Sequence, residues 1–225
     1  MPLKTVLAKI IPRKAKKSLR NFWILADKYG QRRSIKYDKC LDKKGQEIPW
    51  YTYPAYEYLN SLDFKDLDIL EFGSGASSTW WAERAKSVTS IEHNKEWYEI
   101  VKQRQTNNLK IIFAETEEKY ISAGNFEKYD VVVIDGQYRH ACAKNLKNII
   151  KGEGLIILDN ADRHPTTAKL LRETYNLLQV DMHGFGPIND YTWTTSLFFS
   201  RGFQCLPKTN RLPVYSVGAL KELAE

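Results

Sequence analysis

The stretch Asp68–Glu92, DILEFGSGASSTWWAERAKSVTSIE, decides how this chain is read. Ile69, Leu70 and Phe72 form a short apolar run, as in a strand buried on both faces. Gly73, Ser74 and Gly75 then turn the chain, and the two glycines let a ligand touch the backbone. Ser77, Ser78 and Thr79 open a helix whose free N–H groups point back at that turn. Ser87–Ile91 makes a second strand, and Glu92 stands at its carboxyl end. An acid placed there, about twenty residues past a glycine turn, can accept hydrogen bonds from ribose hydroxyls. An ordinary tight βα turn would explain the glycines alone. Strand, GxG turn, helix, strand and terminal acid together predict a nucleoside-binding βαβ unit.

The chain of 225 residues is long enough for one sizeable domain, or one domain and an arm. No run approaches the roughly 18 apolar residues of a membrane span. The N-terminus is basic but lacks the apolar core of a signal peptide. Cys40, Cys142 and Cys205 are far apart, odd in number and outside any CxxC or zinc spacing, so reduced thiols of a cytoplasmic protein are expected. The net charge of +7 is unevenly spread. Residues 1–36 carry eleven of the 34 Lys/Arg and one of the 27 acids, Asp27, for +10 against −3 in the remainder. The globular part is therefore not basic, which argues against a fold that grips nucleic acid.

These shifts predict a basic N-terminal arm or helical lid over 1–48, a main domain over 49–203 and a tail over 204–225. In the arm, Val6, Leu7, Ile10, Ile11, Leu19, Phe22, Trp23 and Leu25 are spread among the cations. That pattern suits peripheral contact with an anionic membrane, at its inner face for a cytoplasmic protein. It also suits a solvated helix packed on the domain, or a frayed terminus. In IPWYTYPAYEYL, Trp50, Tyr51, Tyr53, Tyr56 and Tyr58 crowd the entry to a helix that Pro54 can start. They read equally as a lid over a cofactor and as core.

After Glu92 the alternation continues. Strands are expected at Leu109–Phe113, Tyr129–Ile134 and Leu155–Leu158. Helices are expected from Asn94, over Glu117–Ala123, over Ala141–Ile150 and from Pro165 to about Tyr175, with a turn at Lys151-Gly152-Glu153-Gly154. Leu177–Phe185 and Thr192–Ser200 then follow as strands without an intervening helix. Alternation closed by a hairpin predicts a mostly parallel sheet with one antiparallel strand. In such sheets ligands bind beyond the carboxyl ends of the strands. Those ends carry Glu71, Glu92, Glu115, Asp135 and Asp159-Asn160, more acids on one edge than helix capping explains.

From about Pro49 to Ser200 the chain resembles the class I S-adenosylmethionine-dependent methyltransferases. EFGSGAS is similar to their first motif, VVVIDG to their fourth, and GEGLIILDN to their fifth-strand region. The resemblance implies a Rossmann-like α/β sandwich, a seven-stranded sheet of order 3-2-1-4-5-7-6 and an antiparallel last strand. It also implies S-adenosylmethionine as cofactor. Gly73, Ser74 and Gly75 would line its methionine and ribose, with Ser77 where a third glycine often stands and Ser78 beside it. Glu71 would face its amino group, Glu92 its ribose with His93 adjacent, Glu115 and Thr116 its adenine, and Asp135 its methionine end. Trp50 would belong to the lid. The segments around IDG, LDN and GFGPINDYTWTTSLFF look most like bacterial O-methyltransferases of unknown or glycan-related substrate. The acceptor would then be a sugar, glycan or other small hydroxylated molecule.

A second resemblance concerns chemistry. Asp135, Asp159 and Asn160 fall where metal-dependent O-methyltransferases of the catechol and sugar type hold Mg²⁺, which would lower the pKa of a bound hydroxyl. Tyr138 departs from the catechol type, which has a lysine there. The other version is a metal-free site with a general base among Asp135, Asp159, Asp162, Arg139, His140 and His164. Asp135-Gly136-Gln137-Tyr138 lacks the Pro-Pro-aromatic pattern of base-modifying enzymes, so DNA is not the expected substrate. Two rivals share part of the pattern. One is a nicotinamide-dependent Rossmann oxidoreductase. The other is a non-catalytic cofactor-binding scaffold of a glycan-assembly complex.

Overall fold

The architecture follows from strands that are apolar at consecutive positions. In Val131–Ile134 and Leu155–Leu158 every side chain is buried, so successive residues must enter cores on opposite faces of one sheet. Ile69, Val131, Val133, Leu155 and Ile157 lie in one cluster. Leu70, Phe72, Val132, Ile134, Ile156 and Leu158 lie in the other. The computed structural model describes residues 12–222. Its strands are β1 (Asp68–Phe72), β2 (Ser87–Glu92), β3 (Leu109–Phe113), β4 (Tyr129–Ile134), β5 (Ile150–Leu158), β6 (Leu178–Gly184) and β7 (Trp193–Phe199). They form one sheet of order β3-β2-β1-β4-β5-β7-β6. β1 to β5 pair parallel, while β7 runs antiparallel to β5 and β6. Both the order and the antiparallel last strand are as expected.

Helices cover both faces. They are α1 (Arg13–Trp23), α2 (Gln31–Tyr37), α3 (Tyr53–Ser61), α4 (Ala76–Ala82), α5 (Lys95–Val101), α6 (Glu117–Ser122), α7 (Arg139–Lys144) and α8 (Pro165–Lys169). Leu59 of α3, Trp81 of α4 and Val101 of α5 pack on one face. Tyr120 of α6, Cys142 of α7 and Ala168 of α8 pack on the other. Asn94 starts α5 by accepting the Trp97 N–H at 2.9 Å, and Pro165 opens α8 with its fixed φ.

Two local expectations are corrected. Lys151-Gly152-Glu153-Gly154 is not a turn but an irregular part of β5, because the register jumps from Tyr129↔Ile150 to Val131↔Leu155. The helix after Asp135 ends at Lys144, followed by a short 3₁₀ turn, Leu146–Asn148.

The arm divides. No residue of α1 is buried. From Ala26 onward the chain belongs to the body. Gly30 takes φ +88°, and a Cβ there would fall 2.5 Å from the Asp42 carbonyl carbon. Ser34 Oγ donates to Leu41 O and accepts the Leu41 N–H, both at 2.9 Å. Cys40, Ile48 and Tyr53 form a small core of their own. The tail folds back on α3, where Val217 N donates to Glu57 Oε1 at 2.5 Å. Among the described residues no helix is long and apolar enough to cross a membrane.

The register positions the site. Phe72 stands opposite Ile91 and Ile134, and Ile134 opposite Leu158. The carboxyl ends of β1, β2, β4 and β5 are therefore level. Gly73, Glu92, Asp135 and Asp159 come side by side.

Candidate active site

The glycine turn is built for two separate reasons. Gly73 has φ +115°, and a Cβ on it would lie 3.1 Å from Gly136 N, so the fold itself requires glycine there. Gly75 has φ 166°, which is extended backbone that any residue adopts. A Cβ on Gly75 would meet nothing closer than Trp97 Cζ2 at 4.0 Å. The fold does not require that glycine, and the space in front of it is open among the described residues.

Around this turn the hydrogen bonds converge on two buried acids. Glu92 is 4 % exposed. Its Oε2 accepts Ser74 Oγ at 2.7 Å, and its Oε1 accepts the N–H groups of His93 and Asn94 at 2.9 and 2.8 Å. Glu71 is 1 % exposed. Its Oε2 accepts Ser78 Oγ at 2.5 Å and Ser90 Oγ at 2.8 Å. Its Oε1 has no partner among the described residues. Burial raises the Glu71 carboxyl above its ordinary range, Ser77, Ser78 and Ser90 pull it back, and Glu92 adds repulsion.

Three aromatic side chains join this site: Trp97 and Tyr120, which the sequence did not point to, and Tyr51, from the segment that reads equally as lid and as core. Trp97 Nε1 donates to Ser74 O at 2.9 Å and so braces the turn. Tyr51 is fully buried and its hydroxyl accepts Trp81 Nε1 at 3.2 Å. Burial, then Glu71, Asp135 and Asp159, keep that phenol neutral. Tyr120 packs among the rings of Phe72, His93 and Tyr138, and its buried hydroxyl has no partner among the described residues. All three are aromatics that read equally well as core. By contrast Glu115 points to solvent, Thr116 caps α6 by accepting Lys119 N at 3.3 Å, and Trp50 is 47 % exposed above buried Tyr51.

At the ends of β4 and β5, Arg139 is the hub. Its Nε donates to Gly136 O at 3.0 Å, and its Nη2 to Asp135 O at 2.7 Å and Asp135 Oδ1 at 3.2 Å. Its Nη1 donates to Asp159 O. Asp159 is 3 % exposed. Its Oδ1 accepts Trp193 Nε1 at 3.1 Å and Thr195 Oγ1 at 2.5 Å. Burial pushes its carboxyl up to about 6, against the pull of these donors and of Arg139. Asp135 is also pushed well up, by desolvation and then by Asp159. The two neighbouring carboxyls thus resist being ionised together.

The remaining candidates have other engagements. Asp162 Oδ1 accepts Thr194 N at 3.1 Å, tying the β5–α8 connection to β7. His140 Nδ1 lies 3.2 Å from Thr167 Oγ1. His164 is half-buried, and burial and Arg139 lower its pKa, so it is neutral at pH 7. Asn160 occupies the left-handed region at φ 51°. Mg²⁺ does not fit this donor set: the Arg139 guanidinium already supplies the positive charge between Asp135 and the Asp159 carbonyl. Among the described residues no three His, Cys, Asp or Glu side chains gather as a metal site.

Arg139 is expected to hold this edge together. Arg139→Lys keeps the charge but cannot reach three carbonyls and a carboxylate in one plane. It should cost about 3 kcal/mol in urea unfolding, the scale of breaking a buried ion pair. A loss below about 0.5 kcal/mol would show that the hub is not structural.

No protein-family model matches the chain, and no curated protein matches it by sequence. Solved structures do. The N-methyltransferase NodS from Bradyrhizobium japonicum WM9, in complex with S-adenosyl-l-homocysteine, is 18 % identical with a TM-score of 0.50, over 78 % of this chain and 99 % of that one. Precorrin-6y C5,15-methyltransferase from Geobacter metallireducens GS-15 is 15 % identical with a TM-score of 0.50, over 65 % of this chain and 88 % of that one. At such identities the likeness is one of fold: this chain has the Rossmann-like α/β fold of the S-adenosylmethionine-dependent methyltransferases.

Proposed function

We propose that this protein transfers the sulfonium methyl group of S-adenosylmethionine to an oxygen of a small hydroxylated acceptor, such as a sugar or glycan. One observation carries the cofactor: the buried, partnerless Glu71 Oε1 beside a glycine turn with open space at Gly75. Glu71, Glu92, Asp135 and Asp159 stand along the same carboxyl edge of the sheet as that turn, with Arg139 as counter-charge to Asp135. A ligand bearing ammonium and sulfonium charges is favoured among such carboxylates. A nicotinamide dinucleotide is not. Its diphosphate needs free donors at the helix start after β1, but there the Gly75 N–H is taken by Ser78 Oγ, which itself donates to Glu71. That places negative charge where the diphosphate would lie.

When bound, S-adenosylmethionine supplies an electrophilic methyl group, and the electrons of the broken C–S bond stay on sulfur. The protein must orient the acceptor oxygen and take its proton as the new C–O bond forms. Asp159, with a pKa of about 6, is ionised at neutral pH and close to the range that suits a general base. Arg139 fixes the two strand ends that carry the carboxyl pair. Thr195 and Trp193 hold Asp159 Oδ1 in place. The proton ends on the Asp135–Asp159 pair.

Thermal-shift and calorimetric titration test the cofactor. S-adenosylhomocysteine should raise the melting temperature and NAD should not. Glu92→Ala should weaken S-adenosylhomocysteine by about 1.5–3 kcal/mol, the scale of a charged hydrogen bond. Stabilisation by NAD in place of S-adenosylhomocysteine would transfer the site to the oxidoreductase reading. Cofactor binding without turnover of any hydroxylated acceptor would leave the scaffold reading.

A further inference from the structure

Helix α1 reads RKAKKSLRNFW over Arg13–Trp23, contains no acid and buries none of its residues. At the helical repeat, Arg13, Lys14, Lys17 and Arg20 fall on one arc. Ala15, Leu19, Phe22 and Trp23 fall on the opposite arc, with Lys16 at its margin. Leu19, Phe22 and Trp23 are 45, 59 and 48 % exposed. Arg32 covers part of the Trp23 ring at 5.6 Å, and Phe22 meets it edge-on at 5.9 Å. A contiguous apolar arc left open on a surface marks a contact site.

Charge and shape choose the partner. Five cations without an acid select an anionic surface. Nucleic acid would satisfy the cations through phosphates yet leave Leu19, Phe22 and Trp23 in water. A lipid surface satisfies both arcs. The aromatic and leucine side chains enter the headgroup–acyl boundary, while the lysine and arginine stems snorkel to the phosphates. We propose that α1 is an in-plane docking helix for an anionic phospholipid bilayer.

The helix is not a loose tether. The chain continues through a π-helical turn, Ile24–Lys28, in which Ala26 is buried. Gln31 Nε2 then donates to Gly186 O at 3.3 Å and Asn189 O at 3.0 Å. These carbonyls belong to the loop between β6 and β7. Trp193, against which Gly186 packs, donates to Asp159. Docking therefore orients the carboxyl edge of the sheet relative to the bilayer. Because Gln31 and Ser34 are buried, the test uses exposed point variants of the full chain rather than truncation.

The experiment is co-sedimentation with vesicles of phosphatidylcholine alone and of phosphatidylcholine mixed with phosphatidylglycerol. The full chain should partition at least roughly tenfold more strongly onto the anionic vesicles and be released at about 0.5 M NaCl, where the screening length falls to roughly 4 Å. Lys14→Glu with Lys17→Glu should lower binding about tenfold or more, and so should Phe22→Ser with Trp23→Ser. Melting temperatures should be unchanged, and Leu19→Ser provides a second apolar variant if the aromatic pair alters folding. Equal binding to neutral and anionic vesicles would overturn the proposal, as would full binding by the apolar variants. Binding of duplex DNA without vesicle partition would assign α1 to nucleic acid instead. Loss of self-association, rather than of vesicle binding, in the apolar variants would assign its occupant to a second copy of the chain.

Discussion

Asp159→Asn should lose about 10²–10⁴-fold in methyl-transfer rate while leaving S-adenosylhomocysteine affinity nearly unchanged and making the protein more stable at neutral pH. The rate loss follows from removing the base. The side-chain oxygen of Asn can still accept the N–H of Trp193 and the hydroxyl of Thr195, so the local structure survives. The gain in stability follows from linkage. The carboxyl rises from an ordinary 3.8 to about 6 in the fold. A raised acid stabilises the fold fully below its unfolded pKa and loses that contribution as pH rises through the folded one. Between about pH 4 and 6 the wild type therefore gives up roughly 3 kcal/mol that the variant keeps. At pH 8 the variant should melt roughly 6–12 °C higher. The wild-type rate should fall on acidification with a limb near pH 6 and should ignore EDTA, since a carboxylate takes the proton without a metal. A wild-type rate for Asp159→Asn on the true acceptor would place the base elsewhere. Loss of activity in EDTA with recovery in Mg²⁺ would restore the metal version.

Gly75→Leu should abolish S-adenosylhomocysteine binding, by more than about 100-fold or 2.7 kcal/mol, with the melting temperature held within about 2 °C. The extended φ of 166° accepts leucine without strain. The backbone N–H keeps its 3.0 Å bond to Ser78 Oγ. The side chain enters the space beside Trp97, where the fold offers no clash and the ligand would lie. Gly73→Ala provides the contrast. Its φ of +115° and the nearby Gly136 backbone mean that the fold suffers before any ligand is considered. A Gly75→Leu protein that binds S-adenosylhomocysteine normally would remove the glycine turn from the cofactor site.

The carboxyl-edge site was legible because parallel strands buried on both faces announce themselves locally. Ile69-Leu70, Val131–Ile134 and Leu155–Leu158 leave no polar face, so a covered sheet was the available solution. Once the strands are level, the residue that ends each one must lie at the shared edge. Glu71, Glu92, Asp135 and Asp159 could thus be placed together from their positions in the sequence. The role of each acid could not be. Glu115 also ends a strand, yet it turns to solvent. Asp162 follows a strand end closely, yet it is held by Thr194 N.

What the sequence by itself determined is the sheet, its order by resemblance, the glycine turn and the row of acids, since these depend on strand periodicity and local turn chemistry. What only the tertiary structure decided is how those acids are charged and held. Asp159 owes its donors to Trp193 and Thr195, 34 and 36 residues further along, which reach it because β7 pairs antiparallel with β5 in one particular register. Arg139 bridges carbonyls presented at the ends of two strands. The arm divides between exposed α1 and the residues after it because Gln31 and Ser34 are buried on hydrogen-bond partners while no residue of α1 is buried. Such contacts join distant positions, and no periodicity in the sequence encodes them.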